Sequence, residues 1–101
     1  MKMKVSELLT DESKWCKRTM AKDISGYGVP FDSAYAVCWC LLGAAAACGY
    51  TSAEMAAFEK AICAVAPMSA VDTTNVAIAL WQDAAERTFD QVYELLLSIG
   101  H

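Results

Sequence analysis

The residues best suited by type to do chemistry are Cys16, which stands beside Trp15 and ahead of Lys17 and Arg18, and the carboxylates Asp23, Asp32, Asp72 and Asp83. Two neighbouring cations favour a thiolate if water reaches the sulfur, and the thiolate is the nucleophilic, redox-active form. The plainer alternative, a semi-buried thiol in a loop anchored by its tryptophan, weighs more for a lone cysteine. Carboxylates can pair as acid and base or hold a divalent cation, but the spacing of these four requires neither. The sole histidine, His101, is the last residue, and a frayed terminus keeps no general base within reach of a nucleophile. Asp83 and Arg87 are i, i+4 across a helix break, and read as a structural pair or as turn caps ahead of substrate contacts.

Metal chemistry is disfavoured. Cys38 and Cys40, placed i, i+2 on an expected helix, would point about 200° apart and could not share an ion. Cys40 and Cys48 could share a face but have no histidine partner, so they read as small hydrophobes. No cofactor is implied. The five cysteines are an odd number with no secretory signal ahead of them, which predicts reduced thiols and a cytoplasmic location.

Charge narrows the partners. Residues 1–22 carry six cations against three acids, while residues 23–101 carry two cations against nine acids, for a net charge of -4. A body that acidic repels phosphate backbones and anionic lipid heads, which excludes nucleic acid and a membrane surface as the main partner. No apolar window reaches the roughly 18 residues of a membrane span, the longest candidate being Ala34 to Cys48.

These residues must be positioned by helices if the periodicity is followed. The pattern predicts an all-α, single compact domain over 1–101, with about five helices. Val5, Leu8 and Leu9 mark a short first helix ending near Ser13. From Trp15 to Phe31 the turn signals Ser25-Gly26-Tyr27-Gly28 and Val29-Pro30 predict an irregular arm, with a loop preferred over a small hairpin. Asp32 or Ser33 would then cap a buried central helix from Ala34 to Cys48, closed by Gly49. On it, Ala36, Cys40, Gly43 and Ala47 form a stripe of small side chains for close helix packing, and Tyr35, Trp39, Leu42 and Ala46 form a core stripe.

Thr51 and Glu54 make a capping box for a third helix with Met55, Phe58, Ile62 and Val65 inward, stopped by Pro67. Thr73 to Trp81 carries a fourth, with Val76, Ala77, Leu80 and Trp81 on one side. Thr88 and Gln91 box the last, where Phe89, Val92, Tyr93, Leu96 and Ile99 face inward and Gly100 closes.

Trp15, Asp23 and Gly26, Cys40 with Gly43-Ala44, and Trp81-x-Asp83 with Arg87-Thr88 and Val92 together resemble the small bacterial and phage family called domain of unknown function 6197. Its late cassette commonly reads Trp-Asn-Asp, whereas Gln82 stands in the middle here. The resemblance implies a compact helical domain and brings no activity, cofactor or catalytic residue.

The expected function is therefore a non-catalytic binding or protein-interaction module, with the Trp15–Phe31 arm as its contact surface. The alternative is a small enzyme or ligand-binding domain whose pocket lies between that arm and residues 81–88. The candidate binding residues are Trp15, Cys16, Asp23, Tyr27, Trp81, Asp83 and Arg87, with none assigned to catalysis or metal. The partner is expected to be a protein of unknown identity, and a homodimer stays open.

Overall fold

The apolar run expected to be one long helix is divided by a strand. In the computed structural model, which describes residues 3–66 and 74–101 (74–76 as helical backbone only), α2 spans just Leu41–Ala47. Its N-cap is Cys40, whose Sγ accepts from the Gly43 amide at 3.2 Å. The residues before it are extended. Ser33 caps only a local turn, through Tyr35 N to Oγ at 3.1 Å. Cys38–Trp39 forms β3, in a sheet with β1 (Ala21–Lys22) and β2 (Gly28–Val29) in the order β2-β1-β3, all antiparallel.

The fold is therefore mixed, with five α-helices and a three-stranded sheet among the described residues, and not all-α. The reason is long-range pairing: Val37 N donates to Lys22 O at 2.9 Å and Cys40 N to Met20 O at 3.2 Å. Those bonds satisfy the backbone that a helix would have satisfied internally, and Val, Tyr and Trp suit a pleated surface. The two long stripes dissolve as well. Ala36 and Cys40 lie outside α2, Ala47 is exposed, and Tyr35 is exposed in the turn before β3.

The arm is a hairpin, not a loop. Ala21 pairs with Val29 and Lys22 with Gly28. Its turn is built by Asp23, whose Oδ1 accepts from Ser25 N at 2.9 Å and Tyr27 N at 3.0 Å, with Gly26 at φ +87°. An aspartate hydrogen-bonding the backbone ahead of it is what lets so short a ladder close.

The helices with capping boxes begin where expected, whereas the first ends at Leu8 and not near Ser13. α1 is Val5–Leu8, followed by a 3-10 turn at Glu12–Lys14, and α3 is Ser52–Val65. α4 is Thr74–Asp83, and α5 is Phe89–Ser98. Both capping boxes form, Thr51 with Glu54 and Thr88 with Gln91. Gly49 and Gly100 end their helices at φ +85° and +80°. The expected stop at Pro67, the start at Thr73, the carboxylate Asp72 and the side chain of Val76 lie outside the described residues.

The core lies where α2 meets α1 and α4, α3 meets α4, and α1 meets α5. Phe58, Ile62, Ile78, Val92 and Leu96 are fully buried in it with Val5, Leu9 and Leu41. Each large side chain there contributes about 1.5 to 3 kcal/mol relative to exposure. Three residues expected to face inward are not in it: Val65 and Leu80 are exposed and Tyr93 is half-buried outside the cluster, while on α4 Ile78 is buried instead.

His101 is held, not frayed. Its carbonyl accepts from Ser6 N at 2.7 Å, its Nδ1 meets Tyr50 Oη at 2.7 Å, and its ring packs 4.9 Å from that of Phe58.

Candidate functional site

Gln82, the residue in the middle of the late cassette, ties the arm to the helices. It is 2% exposed, and its Oε1 accepts from the Trp15 indole Nε1 and from Leu41 N, each at 2.9 Å. One amide oxygen thereby fixes the start of the arm and the first turn of α2 to the end of α4. Its Nε2 donates to Asp83 Oδ1. This amide is a long-range hub. Spacing could not reveal it, because its partners are 67 and 41 residues away.

Around this hub the sequence-derived candidates take structural posts. Trp15 bridges to Trp39, and Cys16 N donates to Trp39 O at 3.1 Å. Lys17 Nζ donates to the carbonyls of Ala84 at 2.7 Å and Arg87 at 3.0 Å, closing the α4–α5 turn. Asp83 Oδ1 also accepts from Arg18 N at 2.9 Å, holding Arg18 at φ +71°, a conformation that costs a non-glycine residue about 1 kcal/mol or more. Arg87 donates from Nε to Trp81 O at 3.0 Å and lays its guanidinium 4.0 Å from the centroid of the buried Trp81 ring. Asp83 and Arg87 are therefore turn caps with separate partners, and not a pair.

Cys16 is buried, and burial together with the neighbouring Cys38 thiol pushes its pKa up to about 12. The expectation that Lys17 and Arg18 would favour its thiolate fails because burial outweighs the neighbouring charge, and Lys17 spends its ammonium on the Ala84 and Arg87 carbonyls. Cys40 is likewise raised, chiefly by burial, and Cys48 is raised to about 11 for the same reason. Cys38 and Cys40 lie on extended chain, so the helical angle between them does not apply. Among the described residues there is no group of three or more His, Cys, Asp or Glu placed to hold a metal.

The seven candidate residues do not converge. Trp15, Cys16 and Arg87 share an open groove of about 530 Å³ with Lys17, Lys22 and Cys38. Asp83 faces a different, smaller cavity of about 210 Å³ with Arg18, Met20 and Gln82. Asp23 and Tyr27 are at the hairpin turn, and Trp81 lines neither space. The hairpin and the turn after it carry the large exposed apolar side chains of this region: Ile24 is 91% exposed, Tyr27 72% and Tyr35 77%. Ile24 lies in the arm expected from sequence to be the contact surface, whereas Tyr35 reads from sequence as part of a core stripe, since an exposed apolar residue looks like a core residue until the packing is known.

Among the described residues no helix is long and apolar enough to cross a membrane. No curated protein and no solved structure matches the chain. A family model described as Family of unknown function (DUF6197) matches residues 3–99, and the chain belongs to that family.

Proposed function

We propose that this member of the DUF6197 family is a non-catalytic protein-interaction module, and that the β1–β2 hairpin with the turn before β3 is its contact surface. The observation that carries the reading is the exposure of Ile24 and Tyr27 at a hairpin turn pinned by Asp23, and of Tyr35 in the turn before β3. Exposed aromatic and aliphatic side chains on a fixed turn are the composition of an interface centre, and presenting them rigidly lowers the ordering cost of binding. The partner is a protein with an apolar recess, and a second copy of the chain is one such partner. The burial of Cys16 and its raised pKa support the non-catalytic side, because a thiol mechanism needs a thiolate. Five free cysteines support a reducing cytoplasm, and the family resemblance supports a bacterial or phage source.

The test is a photo-crosslinking residue placed at Tyr27 and, separately, at Leu97, which is also exposed but lies on α5. Expressed in the native host, the Tyr27 probe should give a discrete adduct that Ile24→Asp abolishes while the melting temperature holds. Equal adducts from Leu97, or none from a folded Tyr27 variant, would overturn the reading.

A further inference from the structure

A second site lies away from the hairpin, in the cavity of about 210 Å³ between the arm and α4. Its deep end is apolar: Leu41 and Ile78 are buried there, and Met20 and Leu42 complete the wall. Its outer end is charged. Arg18 is exposed and Asp83 half-buried, and both line the same space. None of the hairpin's exposed apolar residues takes part in it.

The two charges are adjacent but not spent on each other. Asp83 uses Oδ1 for Arg18 N and Gln82 Nε2, and among the described residues its Oδ2 accepts nothing. The Arg18 guanidinium has no hydrogen-bond or ion-pair partner among the described residues. The backbone that carries it is fixed in a left-handed conformation by the same carboxylate, and strain of that kind collects where a structure holds a group ready for a ligand. One unpaired cation and one free carboxylate oxygen thus flank the entrance to an apolar recess. The volume is below the roughly 300 Å³ at which drug-sized ligand pockets begin. That suits a small metabolite.

We propose that this cavity binds a free hydrophobic α-amino acid, with the side chain against Leu41 and Ile78, the α-carboxylate on Arg18 and the α-ammonium on Asp83. An uncharged ligand would leave both charges unused, and a simple fatty acid would bring its carboxylate up to Asp83 without compensation. Only a zwitterion with an apolar tail answers all three features of the site.

The experiment is a nuclear magnetic resonance titration of the whole chain with L-leucine and L-methionine. Isocaproate, which lacks the ammonium, isoamylamine, which lacks the carboxylate, and glycine, which lacks the tail, serve as controls. The expected result is saturable shifts of amides at 18–20, 41–42 and 77–83 with the two amino acids. Arg18→Gln and Asp83→Asn should each weaken binding about tenfold, the effect of losing one charge-assisted contact. Asn at 83 keeps an oxygen for Arg18 N, so its fold should hold. Ala79→Phe, at an exposed position on the cavity wall, should abolish binding while leaving distant amides in place. No saturable shift up to about 10 mM, tenfold above a Kd of about 1 mM, would overturn the proposal. So would isocaproate or isoamylamine binding as tightly as leucine, or an Ala79→Phe variant that binds normally.

Discussion

At Gly43 one carbon atom decides whether the arm can lie on α2. A Cβ built there would stand 2.0 Å from the Met20 carbonyl oxygen and 2.8 Å from its carbon, both backbone atoms that cannot swing aside. Gly43→Ala should therefore cost about 1 to 3 kcal/mol in urea unfolding, although alanine is the better helix former; a variant as stable as the parent would show that the arm does not rest on this turn. Gln82→Met keeps the volume but removes the acceptor for Trp15 Nε1 and Leu41 N. Each unsatisfied buried donor costs about 1 to 3 kcal/mol, so for the two donors a loss of about 2 to 6 kcal/mol is expected. Arg18 gives the opposite sign. Its φ of +71° suits glycine, so Arg18→Gly should unfold at the same urea concentration as the parent or higher, whereas Arg18→Val should lose about 1 kcal/mol.

Among the elements, the turn between α4 and α5 depends most on side chains. Thr88 Oγ1 accepts from Gln91 N at 3.3 Å while Gln91 Oε1 accepts from Thr88 N at 3.0 Å and from Arg87 at 3.3 Å. Thr88→Ala opens this box and should destabilise by about 1 kcal/mol. Thr51→Ala, at the start of α3, should cost a similar amount, because its box with Glu54 has the same reciprocal bonds. The two losses should add within about 0.5 kcal/mol, since they cap different helices and share no bond; urea midpoints of the double variant check this. The hairpin is pinned differently, by one carboxylate accepting two amides, and the ordering it imposes is what the proposed interface needs.

For the molecule as a whole, pH reports how well both ends of the chain are packed. Burial lowers the His101 pKa below its usual 6.5, so the folded state favours the neutral ring. As pH falls below 6.5 the unfolded chain takes up the proton first, and stability present above that pH is lost. His101→Phe should flatten this acid limb, read as the change of urea midpoint between pH 7 and pH values below the unfolded pKa. Cys16 acts at the other end of the scale. Its pKa, raised from 9.0 to about 12, gives stability that is complete below pH 9 and is lost as pH rises towards 12, because the unfolded thiol ionises first. Consistent with that, the exposed Cys63 should react with a thiol reagent at neutral pH well before Cys16 does.

Local chemistry fixed much of this protein without help from the rest of the chain. Both capping boxes, the glycine stops at Gly49 and Gly100, and the buried Phe58, Ile62, Val92 and Leu96 were legible, because a cap or a helical face is defined by residues within one or two turns. The family was legible too, from sparse residues spread over the chain. The segment Ala34–Trp39 was not. Its apolar run serves a helix or a strand equally well by composition, and the choice was made by Ala21 and Lys22, which supply a ladder from sixteen or more residues away. The candidate site was hidden for the same reason. Trp15, Asp83 and Arg87 were visible as unusual residues, but their roles depend on the buried amide of Gln82 and on carbonyls that Lys17 and Arg87 reach only in the folded chain. A hydrogen bond between distant residues leaves no periodic trace in sequence, so only the tertiary structure could decide which of these side chains hold the fold and which, such as Ile24, Tyr27 and Arg18, are left facing outward.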